Sequence, residues 1–300
     1  MDPLFTPAQC RKVAEKGVTQ MIYTMDTAGA LNKAAEEIDR VVGVFVKIDT
    51  GMRRVGIWHE EAPDLIMRIA ELPKIKLEGI MSTLMQIPEQ DELQLQRFLK
   101  ADEEIHARGI DPGLRSIAST DAIFHSPKAH LDLVRPGISL YGVFPTLKDM
   151  ESGFQLKQAL AFKARIEHTK WIEKGDAITY SGRYVAPERM RVGTLHVGFY
   201  DGIPREMTNK AKILVNGTYR SSIGSVSLNH ILLDLRDTKA KEGDVVEMIS
   251  RNGENTVGKT SETAGWMVYS LLNHLNQNTP RVYTKADRPV ALLDQSNRDS

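Results

Sequence analysis

Residues 41 to 49, VVGVFVKID, form a nearly unbroken apolar run with one lysine near its end. A strand that is apolar on both faces has to be covered on both, which is the situation of a parallel strand packed between helices. The flanking segments supply such helices. AGALNKAAEEIDR (28–40) is rich in helix formers, and in EEAPDLIMRIAEL (60–72) Leu65, Ile66, Ile69 and Leu72 fall on one helical face.

The same alternation extends along the first half. TQMIYTM (19–25), IKLEGIMSTL (75–84), LRSIAST (114–120) and LDLVRPGISLYG (131–142) read as further strands, separated by a long charged helix ending near 108 and a short helix at 121–130. The expectation is a partial (β/α) barrel of about five βα units over residues 1–156. A closed barrel of this type needs eight, so about three units are expected to be missing from its front.

After residue 156 the pattern changes to short runs divided by turn signals: EKGD (173–176), VNGT (215–218), KEGD (241–244) and RNGEN (251–255). This predicts a mostly-β domain over 157–300, with one helix at 262–275 and a loose polar tail after about Ala286. The fold class is α/β followed by β.

Lys plus Arg balances Asp plus Glu at 39 each, which argues against nucleic acid as a partner. No run approaches the roughly 18 apolar residues of a membrane span. MDPLFTPAQC at the start lacks the basic and apolar stretches of a secretory signal, and Cys10 is the only cysteine. A lone cysteine excludes disulfides and cysteine-ligated zinc within the chain, and a cytoplasmic protein is expected. The eight histidines show no HExxH or related spacing, so no metal site is expected. No Walker loop, GxGxxG or Gly-x-Ser-x-Gly elbow occurs.

Three cations stand at strand ends, where barrel active sites are built. Lys47 is either a Schiff-base nucleophile or the partner of a nearby carboxylate. Arg54 either orients a substrate carboxylate with its planar fork or makes a surface salt bridge. Arg135 precedes Pro136 and Gly137, whose backbone can approach a phosphate.

Taken in order, VKIDTGMRRVG, LEGIMSTL, VRPGISLYG, RVGTLHVGFYDGIPR, VNGTYRSSIGSVSLNHILLDL and MVYSLLNHL resemble consecutive blocks of alanine racemase, over residues 5–285. That family uses pyridoxal 5'-phosphate (PLP) to interconvert L- and D-alanine, the latter for peptidoglycan, and joins a barrel to a β domain. The resemblance implies that Lys47 is the lysine, often carbamylated, that supports the substrate-binding arginine Arg54. It implies that Arg135 faces the pyridine nitrogen of the cofactor. It further casts Thr120, Gly137, Ile138 and Tyr269 as phosphate contacts.

Departures from the family pattern follow. No stretch resembling the lysine-bearing VKANAYGHG occurs in these residues. Phe199 stands where the family has its opposite-face tyrosine, and phenylalanine has no proton to exchange. Tyr200 is the possible substitute, but read as strand residues the two point to opposite faces, so substitution requires a bulge. Thr83 replaces a histidine beside the cofactor, and Leu228-Asn229 replaces a Met-Asp pair near the substrate. The expectation is an N-terminally truncated, decayed racemase with impaired activity that holds PLP non-covalently at best. The alternatives are a non-catalytic PLP- or amino-acid-binding protein, or a dimer partner of a related racemase, and a start codon assigned too late. A barrel lacking strands exposes edges, so homodimerisation or other obligate association is expected.

Overall fold

The computed structural model describes residues 3–294 and divides into two units after Gly137. The first begins with helix α1 (Pro7–Lys16). Thr6 and Gln9 form a capping box, Pro7 fills the first turn, and Gly17 ends the helix in the left-handed conformation (φ 63°). Strand β1 (Gln20–Ile22) leads to α2 (Met25–Glu36), capped by Thr24. Then come β2 (Val42–Asp49), the short β3 (Ile57–Trp58), α3 (Ala62–Ala70), β4 (Ile75–Met81), α4 (Pro88–Ala107), β5 (Leu114–Ser116) and α5 (Thr120–His125).

The parallel sheet runs β1-β2-β4-β5, with β3 attached to β2. Val42, Val44, Val46 and Ile48 of β2 are buried, as a central parallel strand requires. Helix α3 buries Leu65, Ile66 and Ile69, and Leu72 packs partly buried beyond its end. Helix α4 buries Leu95, Phe98, Ala101 and Ile105 at the spacing of one helical face.

A register shift between β2 and β4 falls at Val44/Phe45, where Phe45 lies opposite Gly79. A Cβ at Gly79 would sit 2.1 Å from the Phe45 ring and 2.4 Å from the Leu114 carbonyl, so only glycine admits both neighbours. The irregularity lies two residues before Lys47.

The expected strand at 131–142 is reduced to one parallel bridge between Ser119 and Arg135, and residues Ile138–Tyr141 form a 3-10 turn. Pro136 has no N–H to continue a ladder, which ends the pairing at Arg135.

The second unit is built on β6 (Phe162–Ile172), β7 (Ala177–Ile178), β8 (Tyr184–Val185), β9 (Met190–Leu195), β10 (Lys212–Val215), β11 (Thr218–Ile223), β12 (Ile231–Asp234) and β13 (Val245–Ile249). Six of these close an antiparallel barrel in the order β10-β11-β12-β9-β6-β13, which removes the sheet edges. Strands β7 and β8 pair separately. The interior is filled by Ile166, Leu195, Ile213, Leu233 and Val246.

The single helix expected at 262–275 is two, α6 (Val257–Ala264) and α7 (Val268–His274), because Gly265 adopts φ 70° and caps the first. The tail expected to be loose after Ala286 instead forms part of a hairpin, β14 (Arg281–Lys285) with β15 (Arg288–Leu293). The remainder of that tail, 295–300, and the first two residues lie outside the described residues. Among the described residues, no helix is long and apolar enough to cross a membrane.

Strands β10 and β11 turn through Asn216 (φ 47°) and Gly217 (φ 82°), the two-residue turn that matches strand twist. A Cβ on Gly217 meets nothing within 4 Å, so the cost of a side chain there is conformational alone. Gly217→Ala is expected to destabilise the chain by about 1 kcal/mol. Urea unfolding checks this, and an unchanged midpoint contradicts it.

Candidate active site

At the carboxyl ends of β2, β4 and β5 the first unit gathers buried polar groups. Lys47 is buried on β2, and its Nζ donates to Thr83 Oγ1 at 2.6 Å, just beyond β4. Burial first, and then the charges of Arg135 and Arg54, push the Lys47 ammonium down to about 7, while Asp49 pulls the other way. A lysine so placed is partly a neutral amine near neutral pH.

Arg135 donates from Nη1 to Ser116 Oγ, at the end of β5, and from Nη2 to the Ser82 carbonyl at 2.6 Å. Its Nη2 also reaches Thr83 Oγ1 at 3.4 Å, so the Thr83 hydroxyl accepts from both cations. Burial lowers the Arg135 guanidinium to about 10, still cationic at neutral pH. Ser116 Oγ in turn donates to the Leu133 carbonyl at 2.7 Å, which fixes the acceptor.

The loop after β2 is set by Asp49, whose Oδ1 accepts the N–H groups of Gly51 (2.9 Å) and Arg53 (3.1 Å). Arg97 holds the Thr50 carbonyl at 3.0 Å, and Gln94 bridges Thr50 and the Thr83 carbonyl. Arg53 stacks over Trp58 at 3.5 Å, whereas Arg54 is exposed and acts on Lys47 through its charge.

A second feature lies beside this one. Thr120, buried at the first position of α5, accepts the Gly137 N–H on its Oγ1 at 2.8 Å. Ser119 gives the helix no side-chain cap.

Of the residues singled out by sequence, Lys47, Thr83 and Arg135 thus form one connected network, and Thr120 meets Gly137. Thr50, Ser82, Gln94 and Ser116 also belong to the site, without a motif that marks them in the sequence. Their signal was available in Ser82 and Ser116, hydroxyls at the ends of apolar parallel strands, where barrel sites are built.

In the second unit Phe199 and Tyr200 do not continue β9. They occupy a 3-10 turn (Phe199–Asp201) in which Asp201 Oδ2 accepts the Gly198 N–H at 2.9 Å. Strand alternation therefore does not govern them. Successive side chains in such a turn are about 120° apart, so Tyr200 takes its direction without a bulge.

The backbone N–H of Phe199 donates to the Ser227 carbonyl (3.0 Å) and that of Tyr200 to the Leu228 carbonyl (2.9 Å). This holds Phe199, Tyr200 and Leu228 together, with side chains 40 %, 58 % and 53 % exposed. Ile138 is buried at the start of its 3-10 turn, and Tyr269 is partly exposed on α7.

Comparison with known proteins gives a consistent result over both units. The family described as alanine racemase, N-terminal domain, matches residues 1–145, and alanine racemase, C-terminal domain, matches residues 159–283. The alanine racemase of Geobacter sulfurreducens is 33% identical over 288 residues, covering 92% of this chain and 75% of that protein. The one from Carboxydothermus hydrogenoformans is 30% identical over 284 residues, covering 92% and 77%. Among solved structures, alanine racemase of Clostridium difficile 630 superposes with a TM-score of 0.89 at 25% identity, covering 97% of this chain and 77% of that one. That of Streptomyces coelicolor A3(2) gives 0.86 at 26% identity, covering 94% and 77%.

Proposed function

Because the chain belongs to the alanine racemase family, we propose that it retains that family's grip on PLP and a small amino acid such as alanine but is impaired in racemisation. What supports this reading is Phe199, a side chain without a transferable proton where the resemblance puts the family's tyrosine.

The donor set suits PLP. The Thr120 hydroxyl, whose oxygen accepts the Gly137 N–H and whose proton is left to donate, is proposed to face the phosphate beside the start of α5, which no side chain caps, and Arg135 offers a fixed cation for the ring nitrogen. When bound, PLP supplies an electron-withdrawing ring that acidifies the amino acid's α C–H. Arg54 is proposed to clamp the substrate carboxylate, and Lys47 to support it. Thr83 ties Lys47 to Arg135 and so holds both cations at the strand ends.

Racemisation needs one group to remove the α-proton and another to return one on the opposite face. Phe199 can do neither. Tyr200 and Leu228 stand beside it, and Tyr200 is the only hydroxyl of the three. Titrating the purified chain with PLP by absorbance, then adding D- or L-alanine, tests the reading. PLP binding without interconversion is expected, and robust interconversion would contradict it.

A second reading, a non-catalytic partner subunit, is favoured by the exposed Phe199, Tyr200 and Leu228. We assign the protein to the cytoplasm, in keeping with its buried free Cys10, and propose a family-domain boundary at 156/157, in the stretch between the two matched regions, although the compact units part earlier, after Gly137. Sedimentation is expected to show a homodimer, or a mixed dimer with a related racemase. A stable monomer at micromolar concentration would contradict association.

A further inference from the structure

We propose that Glu167, His196 and His230, on the wall of the second unit's barrel, form a binding site for a divalent transition metal such as zinc. No spacing in the sequence announces it, because Glu167 lies on β6, His196 directly follows β9 and His230 directly precedes β12. Antiparallel pairing brings them together: Ile166 of β6 pairs with Leu195 of β9, and Leu195 pairs with Ile231 of β12. Each candidate ligand is the immediate chain neighbour of one member of that row.

Local backbone geometry favours the same grouping. The register of β6 against β9 shifts between Ile166 and His168, so Glu167 occupies a bulge. Bulges redirect a side chain away from strict alternation. Here one Glu167 oxygen lies 3.1 Å from His230 Nε2 and the other 3.7 Å from His196 Nδ1. The two imidazole rings are 5.4 Å apart, and one ligand atom from each of the three residues lies within 4.8 Å of the others.

Metal–ligand bonds of about 2.0–2.1 Å in tetrahedral arrangement place neighbouring ligand atoms roughly 3.3 Å apart. The carboxylate-to-imidazole distances are already close to that, and small rotations of exposed rings supply the rest. Two imidazoles and one carboxylate suit zinc, cobalt or nickel rather than magnesium or calcium, which prefer all-oxygen sites. Three protein ligands leave the remaining positions to water. The closed barrel fixes Glu167 on β6 and anchors His196 and His230 through the adjoining ends of β9 and β12, so little ordering is needed on binding. A bound ion would also tie β9 and β12 beside the turn that carries Phe199 and Tyr200.

The competing account is that Glu167 is simply an acceptor for two histidines. Equilibrium dialysis of the untagged, metal-free full chain against zinc chloride separates the two. The expected result is one zinc bound at this cluster, weakened by Glu167→Gln and by the double change His196→Ala with His230→Ala. The weakening should be at least about tenfold, the lower bound seen even for changes behind a metal's own ligands. Cobalt should compete and magnesium should not. Because these side chains are at the surface, circular dichroism should show the variants folded. No zinc bound by the wild-type chain, or zinc binding unchanged in both variants, would overturn the proposal.

Discussion

Replacing Lys47 by methionine is expected to stabilise the folded chain by about 2–4 kcal/mol at pH 7. The ammonium is buried beside two guanidinium groups, and its pKa falls from 10.5 to about 7. A fall of that size corresponds to a penalty of roughly 5 kcal/mol for holding the charged form. Losing the 2.6 Å bond to Thr83 takes back about 1 kcal/mol of the gain.

The pH dependence follows from the direction of the shift. Between about pH 7 and 10.5 the unfolded chain holds a proton that the folded chain has released, so wild-type stability rises with pH through that window. Below about 7 both states are protonated and the full penalty applies. The advantage of Lys47→Met should therefore be largest at pH 7 or below and shrink toward pH 10. Urea unfolding in CO2-free buffer at these pH values checks this. A destabilised variant, or a difference independent of pH, would contradict the assignment.

Arg135→Leu is expected to act in the opposite direction, destabilising the chain by about 2–4 kcal/mol. It removes the guanidinium from the Ser82 carbonyl and from Ser116 Oγ, which keeps only its bond to the Leu133 carbonyl. It also removes the leading charge that depresses Lys47, so the Lys47 pKa should rise from about 7 toward its ordinary value. Titration of the lysine side chains by carbon NMR reads that change directly. PLP affinity should fall about 10–100-fold, the value of a charge-assisted hydrogen bond. Since the two residues share Thr83, their effects should be non-additive in a double-mutant cycle.

Much of the first unit was legible because burial on both faces leaves a plain mark, as in β2, and because α3 shows its apolar stripe at 65, 66 and 69. Helix α1 leaves little mark in the sequence although Thr6-Pro7-Ala8-Gln9 spells a capping box, since few apolar residues follow it. The segment at 131–142 looks like a strand by composition, but Pro136 cuts its pairing after Arg135.

Site residues divided in the same way. Lys47 and Arg135 are charged groups in apolar surroundings and stand out, and family likeness supplied the reason for Thr120 and Gly137. The Thr83 bridge between the cations depends on the ends of adjacent strands meeting, which one-dimensional spacing does not encode. Phe199 and Tyr200 read as strand residues because GTLHVGFY has no proline to mark a stop, yet β9 ends at Leu195. Glu167, His196 and His230 meet only through barrel register, so no motif could have joined them.

The central proposal is that this racemase-family chain binds PLP and a small amino acid but is impaired in racemisation, because Phe199 stands where the resemblance puts the family's proton-transferring tyrosine. The most direct measurement is chiral analysis of D- or L-alanine incubated in deuterated buffer with the purified chain and PLP. The account predicts interconversion no faster than with PLP alone, despite PLP binding to the protein. Robust racemisation, with deuterium entering the α-position of the opposite enantiomer, would contradict it.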